Sequence, residues 1–382
     1  MIMPLTIIIC TLLTAAYLLL MLAYIKGWDD QEEFVLPLVY EPHTRISVII
    51  PARNEARNIG ACIESILAQK YPHDFYEIIV VDDHSEDNTV EVVHEYTDRN
   101  VRCISLADHL PEGGQINAYK KAALAAGIAV SKGTLIVTTD ADCVVPNAWL
   151  MHIAACYEIK HPVMIIAPVI YSYNHKFLQL FQLIDFMGMQ GITAAAHKMG
   201  LGNMSNGANL AFRRSAFEAI NGYDGMSYLA SGDDYLLTAK MNKQFPGGIS
   251  YLKSFKAVVS TAPQPDLSNF LQQRIRWASK SGKYNDVRLT LILILVYLFN
   301  VSFLALAIGA FFNPVLWYIA GVMLAVKILA EYVFIILVAR FFKREWVLLY
   351  FPFLQPLHIL YIVIAGLLGF VGGYKWKGRK VK

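Results

Sequence analysis

Arg45-Ile-Ser-Val-Ile-Ile50 is a short β-branched run that stops at Pro51-Ala-Arg-Asn-Glu55, where the chain turns polar. That is how a buried strand ends and a loop begins. Downstream, Asn58 to Gln69 is periodic, with Ile59, Cys62, Ile63, Ile66 and Leu67 on one face, which predicts an amphipathic helix. The pattern then repeats. Glu77-Ile-Ile-Val-Val81 reads as a second strand, ending at Asp82-Asp83, and His84 to Asn88 leads into a helix from Thr89. Val101 to Leu106 is a third strand, Asn117 to Val130 a helix, and Thr134-Leu-Ile-Val-Thr-Thr139 a fourth strand ending at Asp140-Ala-Asp142. Strands alternating with helices predict an α/β domain with a mostly parallel, Rossmann-like sheet covered by helices on both faces.

Polar residues fall repeatedly just beyond a strand. In open α/β sheets the ligand site lies past the carboxyl ends of the strands. Glu55, Asp82, Asp83, Asp140 and Asp142 are therefore expected to converge, although they are far apart in the chain. One aspartate in such a place is ordinarily a helix cap or turn former. A run of them at successive strand ends is a self-repelling cluster that makes sense around a cation, or against donors on a base and ribose.

Outward from this domain the composition changes. Of the 382 residues 56% are hydrophobic and 16% charged, too apolar for an ordinary soluble protein and too charged for a bare membrane bundle. Leu5 to Ile25 carries no charge and has the length of a membrane span. No Lys or Arg precedes it, which disfavours a cleaved signal peptide and orients its N-terminus outward. The expected division is an anchor at 1–27, the α/β domain at 41–286 with an interfacial segment at 267–284, a membrane region at 288–372 and a basic tail at 373–382. Leu289 to Phe312 and Val315 to Ala339 form a hairpin with Lys280, Lys283, Arg288, Arg340, Lys343 and Arg344 at its open end, so both its ends belong in the cytoplasm. Trp346 to Val371 either crosses once, which puts the basic tail outside against the charge rule, or, interrupted by Pro352 and Pro356, is a broken or re-entrant segment returning the tail to the cytoplasm, the reading preferred here. Lys327 and Glu331, one turn apart in an apolar run, read first as an ion pair tying the bundle and second as a contact for a polar substrate group. The five cysteines show no CxxC spacing, so neither a zinc site nor a disulfide framework is indicated.

Five segments, in order, resemble the membrane-bound branch of family-2 glycosyltransferases. They are Val48-Ile-Ile-Pro-Ala-Arg-Asn-Glu55, Val80-Val-Asp-Asp-His-Ser-Glu-Asp87, the DxD-like Thr139-Asp-Ala-Asp142, Ser231-Gly-Asp-Asp234 and Gln273-Arg-Ile-Arg-Trp277. Each alone is weak; together they span Ile46 to Trp277. The resemblance implies a GT-A fold in a cytosolic domain between N- and C-terminal transmembrane helices. It also implies roles. Pro51, Arg53, Glu55, Asp82 and Asp83 line the nucleotide site, and Asp142 with Asp140 holds Mg²⁺ or Mn²⁺ on the diphosphate, as a hard cation between carboxylate and phosphate oxygens. Lys120 is placed to approach phosphate, with a solvated helix lysine as the equal alternative. Asp234 resembles the general base that takes the acceptor proton. This chain has Asp233-Asp234 where the family more often has Glu-Asp; the base position is retained, and the choice of carboxylate stays open between the two. Asn206, Gly207 and Asn209 resemble a loop lining the donor and acceptor sites, with a plain turn as the alternative. Gln273 and Arg276 are expected to close on the diphosphate and Trp277 to meet the acceptor; read alone, the same segment is a basic amphipathic stretch at a membrane surface.

The expected reaction is a single, inverting displacement from a nucleotide-sugar, UDP by family default and GDP compatible, to a membrane lipid or lipid-linked glycan. The expected location is the cytoplasmic face of a bacterial inner membrane. A processive synthase of a β-linked oligo- or polysaccharide is the alternative, disfavoured because so few passes make a thin bundle for a secretion pore. A non-catalytic membrane scaffold is disfavoured by the intact acids and Gln273-Arg276-Trp277. A nucleotidyltransferase is disfavoured because Pro51 to Glu55 holds no glycine to cradle a triphosphate. No nucleic-acid partner is expected.

Overall fold

The structure is a computed structural model describing residues 2–110, 117–201, 204–226, 229, 232–280, 286–371, 374–376 and 379–381. Ser231, Lys283 and part of the basic tail lie outside the described residues. By their internal contacts the residues form two units.

One unit comprises 32–172 and 203–262. Its strands are β1 (Ile46–Ala52), β2 (Tyr76–Asp82), β3 (Val101–Ser105), β4 (Leu135–Thr138), β5 (Cys143–Val144), β6 (Met164–Ile166), β7 (Val169–Tyr171), β8 (Leu210–Arg213), β9 (Ile249–Tyr251) and β10 (Val259–Thr261). Seven of them form a sheet in the order β3-β2-β1-β4-β8-β6-β9. The β3, β2, β1 and β4 neighbours run parallel, β8 is antiparallel to both β4 and β6, and β6 and β9 are parallel again. A smaller sheet of three strands, β5-β10-β7, completes the unit. Val48, Ile49, Ile50, Ile78, Ile79, Val80 and Val81 are fully buried. A strand closed on both faces selects this unbroken β-branched run over alternation. Register then sets the site. Ala52 pairs with Asp82 and Asp82 with Ser105, while the Thr139 N–H reaches the Ile49 carbonyl at 3.3 Å. The loops carrying Glu55, Asp83 and Asp140 therefore leave the same edge of the sheet.

The other unit comprises 1–31, 173–202 and 263–382. Four of its helices are long and apolar enough to cross a membrane: Met3–Asp29, Val287–Ala310, Val315–Phe342 and Phe351–Phe370. The last departs from the expected broken segment. After a short 3-10 turn at Glu345–Leu349, the helix Phe351–Val371 runs unbroken through Pro356. Pro352 falls in the first turn, where its missing N–H costs nothing, and Pro356 forfeits one bond, which a helix among neighbours in an apolar medium tolerates. The cytoplasmic return of the basic tail rested on the break and loses that support.

The division by contacts also departs from the 41–286 boundary. The helix Phe177–Lys198 and the helix Leu267–Ala278 group with the membrane-length helices, not with the sheet. Between its ends Phe177–Lys198 carries a single charge, Asp185. Its apolar surface suits packing among apolar helices more than a solvated flank. Lys327 resolves as a tie within this unit. It is fully buried and donates to Glu331 Oε1 and Gln355 Oε1, both at 2.6 Å. Gln355 Nε2 returns a bond to Glu331 Oε2 at 2.7 Å, and the Tyr17 hydroxyl donates to Glu331.

Candidate functional site

The strand ends of the sheet unit carry two adjoining groups of polar residues. The first zips the loop after β1 to the loop after β2. The Glu86 N–H donates to Asn54 Oδ1 at 2.8 Å, the Glu55 N–H to Thr89 Oγ1 at 2.8 Å, and the Ala56 N–H to Asp87 Oδ2 at 3.1 Å. Arg53 Nη1 donates to the Asp83 carbonyl at 3.0 Å and lies 3.9 Å from its carboxylate. His84 Nδ1 is 3.1 Å from Asp83 Oδ1, and the Ser85 N–H points at both Asp82 oxygens at 3.3 Å. Asn58 Nδ2 donates to Glu55 Oε2 at 2.8 Å. Arg53, Glu55, Asp82 and Asp83 are thus brought together on a braced pair of loops at the end of β1, which runs one residue past the expected stop at Pro51, to Ala52.

The second group surrounds Lys120, at the start of the helix Tyr119–Val130. Its ammonium is 2.6 Å from Asp140 Oδ1 and 3.5 Å from Asp233 Oδ2. Burial works against the charge, yet Asp140, Asp233 and Asp234 override it and hold Lys120 above the ordinary lysine range. A raised lysine stays protonated through neutral pH, so the cation is permanent under working conditions. Asp233 and Asp234 open the helix Asp233–Gln244, whose N-terminal dipole favours acids there. The preceding Gly232, at φ 82°, makes the turn that a side chain would strain. Asp234 is fixed by the Tyr235 N–H on Oδ1 at 2.7 Å and by the Gly207 N–H on Oδ2 at 3.3 Å. A Cβ on Gly207 would lie 3.1 Å from Asp233 Oδ2, 3.5 Å from Lys120 Nζ and 3.8 Å from Asp234 Cβ, so glycine is what lets this backbone approach the acids.

Asp142 belongs to the same neighbourhood. Cys143 Sγ lies 3.7 Å from Asp142 Oδ1, and Cys62 Sγ contacts the Asp140 carbonyl at 3.6 Å. Both thiols are pushed up, first by burial and then by the charges of Asp140 and Asp142, with Glu55 adding at Cys62. Three carboxylates therefore bear on one buried sulfur. Among the described residues no group of three or more His, Cys, Asp or Glu forms a metal cage. Asp140 and Asp142 as a pair suit a hard cation that takes its remaining oxygens from phosphate and water, the habit of Mg²⁺ and Mn²⁺. Two oxygen donors beside a lysine fit a diphosphate-bound cation and not a self-contained metal centre.

One expected residue is reassigned. Asn209 is fully buried and its amide is spent within the domain: Nδ2 donates to the carbonyls of Pro168 and Ala257, each at 2.8 Å, and Oδ1 accepts from Trp149 Nε1 at 2.9 Å. It anchors the loop and does not face an acceptor. Asn206 caps the Gly207–Asn209 turn, its Oδ1 accepting from the Ala208 N–H at 3.0 Å. Gln273, Arg276 and Trp277 lie in the helical unit. Sequence reading missed Lys121, which is buried and donates to the carbonyls of Leu229 at 2.5 Å and Met226 at 3.0 Å, bracing the chain just before Gly232. Two consecutive lysines on an apolar helix were the available signal, since one of them must turn inward.

The chain resembles known proteins. The model of "Glycosyl transferase family 2" matches residues 47–220, and that of "Glycosyl transferase family group 2" matches 135–367, more than half the chain. An N-acetylglucosaminyltransferase of Rhizobium meliloti is 27% identical over 295 residues, 74% of this chain and 66% of its own length. A dolichyl-phosphate beta-glucosyltransferase of Mus musculus is 32% identical over 118 residues, 28% of this chain and 34% of its own. The chain spans between 15% and 66% of the length of the curated relatives it matches here. Among solved structures, the mannosyltransferase PcManGT of Pyrobaculum calidifontis, in complex with GDP-Man and Mn²⁺, superposes with a TM-score of 0.55 at 19% identity, covering 94% of this chain and 98% of its own, which shows a shared fold. With the two family models together matching 47–367, from the first acidic strand end into the C-terminal membrane-length helices, the chain belongs to the family-2 glycosyltransferases.

Proposed function

We propose that the protein transfers a sugar from a nucleotide-sugar to a lipid or lipid-linked acceptor, in one inverting displacement at the cytoplasmic face of a membrane. The observation that carries this reading is the group of Lys120, Asp140, Asp233, Asp234 and Gly207. One cation and three acids occupy a single strand-end site, with one acid oriented by two backbone N–H groups. Arg53, Glu55, Asp82 and Asp83 receive the base and ribose. Lys120 meets the diphosphate, exchanging some of its contact with Asp140 for phosphate oxygen. Asp140 and Asp142 would hold Mg²⁺ or Mn²⁺, which when bound neutralises charge on the departing diphosphate. Asp234, with Asp233 behind it, accepts the proton of the acceptor hydroxyl as that oxygen attacks the anomeric carbon.

The thiols next to the site do not serve as nucleophiles. Cys62 and Cys143 are buried, and burial with the neighbouring carboxylates keeps them protonated. In a single displacement, attack and departure occur on opposite sides of the sugar, so an α-linked donor gives a β-glycoside. A lipid acceptor is supported by the four membrane-length helices and by the resemblance to a dolichyl-phosphate beta-glucosyltransferase. The roles of Gln273, Arg276 and Trp277 rest on the resemblance of their motif.

The test is nucleoside-diphosphate release by the purified chain in detergent, with UDP- and GDP-sugars, Mg²⁺ or Mn²⁺, and bacterial lipid extract. Asp234→Asn serves as control, expected to lose about 10²- to 10⁴-fold in kcat. Release needing metal, lipid and Asp234, with one sugar in the lipid product, is the expected result. A ladder of oligosaccharides made without lipid would transfer the assignment to a short-polymer synthase. Folded protein that releases nothing from any donor would overturn the enzymatic reading.

A further inference from the structure

The helix Leu267–Ala278 carries a second arginine that the motif reading left unused. Arg274 is almost fully buried, and both of its terminal nitrogens are hydrogen-bonded. Nη2 donates to Asp185 Oδ2 at 2.6 Å, both side chains being 4% exposed or less. Nη1 donates to Gln273 Oε1 at 2.9 Å. The guanidinium carbon lies 4.3 Å from the centre of the Trp277 ring and 4.7 Å from that of Phe270. Arg276, two residues on, makes no side-chain hydrogen bond or ion pair among the described residues and is partly exposed.

Asp185 is itself held. The Tyr361 hydroxyl donates to Oδ1, and His358 Nε2 stands 3.6 Å from the same oxygen. The helix Phe177–Lys198 adds further grips on the same neighbour. Gln182 exchanges two bonds with the Gln264 backbone, at 2.8 and 3.0 Å, and Phe186 lies 6.2 Å from Trp277 between ring centres. One face of this helix thus fixes the other helix by a carboxylate and a ring, and the chain leading into it by an amide.

We propose that Arg274, held by Asp185, is a positioning residue that sets the side chains of Gln273 and Trp277 for sugar transfer. Neighbouring side chains on a helix diverge. The bond from Arg274 pulls Gln273 toward its own face and removes its rotamer freedom, while the cation over the indole fixes the plane of Trp277. An ion pair this deeply buried is a poor source of stability, because well-packed apolar replacements are often as stable or more so. What it supplies is orientation. Arg274 is the inward, fixed arginine of the motif, and Arg276 the one left to meet a ligand. The inference rests on the reading that Gln273 and Trp277 contact substrate.

The experiment uses the full chain in lipid nanodiscs, with whichever donor and lipid support transfer. Arg274→Met and Asp185→Asn are each expected to lower kcat at least tenfold and to lower the thermal midpoint, since each strands a buried charge. The double variant Asp185→Asn with Arg274→Met removes both charges. It should recover the thermal midpoint but not kcat, because nothing then orients Gln273 and Trp277. Arg274→Lys should restore part of the activity, keeping the charge without the planar fork. Recovery of kcat together with stability in the double variant would reduce the pair to packing and overturn the proposal. So would a kcat within twofold of wild type in Arg274→Met. If wild type transfers no sugar from any donor, the reading of the function has failed, and the positioning claim is judged by Trp277 emission alone. That emission, isolated by subtracting the spectrum of Trp277→Phe, should shift in Asp185→Asn, and an unshifted spectrum overturns the pair's role.

Discussion

Two lysines set the two units of this protein against each other. Lys120 stands among Asp140, Asp233 and Asp234, one positive charge against three negative, with its side chain 22% exposed. Lys327 stands against Glu331, charge for charge and fully buried, with Gln355 and Tyr17 taking up further bonds. A closed account of charge and hydrogen bonds is what an apolar bundle requires of any polar group it encloses. An open account, with surplus negative charge at a strand end, is stable only because water reaches it, and it gains most when a cation and a phosphate arrive. The surplus, more than burial or the presence of an ion pair, separates the site from the tie.

Breaking the tie should give the largest effect. Lys327→Met strands Glu331 in the helical unit and should cost about 3–5 kcal/mol of stability. Lys327→Met combined with Glu331→Leu should recover most of that loss, leaving Gln355 as the remaining polar group. Thermal unfolding of the full chain in detergent checks both, and a double variant as unstable as the single would show that the cluster does more than balance itself.

Lys120→Met should act the other way round, as removal of a preorganised donor to developing negative charge. It is expected to reduce kcat/KM by about 10²–10³ with a thermal midpoint close to wild type, since water can relieve the acids left behind. A large loss of stability with modest loss of turnover would make Lys120 a second structural tie and erase the contrast. Below it in magnitude comes Gly207→Ala. Its Cβ would press on Asp233 Oδ2 at 3.1 Å, so the loop and Asp234 must give by a few tenths of an ångström. Because a displacement of an ångström costs about a hundredfold, roughly a tenfold fall in kcat is expected, read as product formation under saturating donor.

The contrast also separates what the chain discloses from what it conceals. Strand ends were legible because a β-branched run that turns abruptly acidic is a local pattern, and Asp82, Asp83, Asp140 and Asp142 each sit on one. Asp234 was singled out by its motif, and the structure seats it against Gly207 and near Lys120. Asn209 was misread because its residue type suits both a binding loop and a core anchor, and only Trp149, Pro168 and Ala257, distant in sequence, decide between them. Asp185 and Arg274 were missed for a similar reason. A lone acid in an apolar helix announces a partner without naming it, and the partner lies 89 positions away. The continuous helix through Pro352 and Pro356 was obscured by a rule that holds for helices in water and relaxes where neighbours supply the lost bond.

The smallest effect tests whether acid pH acts on the sheet unit away from its site. His152 is buried there, with Nδ1 2.9 Å from Ser254 Oγ and its ring edge-on to Phe34. Burial, and then the charge of Lys256, lower its proton affinity below the ordinary histidine value of 6.5. The unfolded chain therefore binds this proton more readily than the folded one. Stability from this group is complete above pH 6.5 and is lost as pH falls through that value toward the lower folded one. The thermal midpoint of the sheet unit in the full chain should fall between about pH 7.5 and about pH 5.5, and His152→Gln should flatten that slope while keeping a partner for Ser254. A slope unchanged in His152→Gln would place the acid sensitivity elsewhere in the unit.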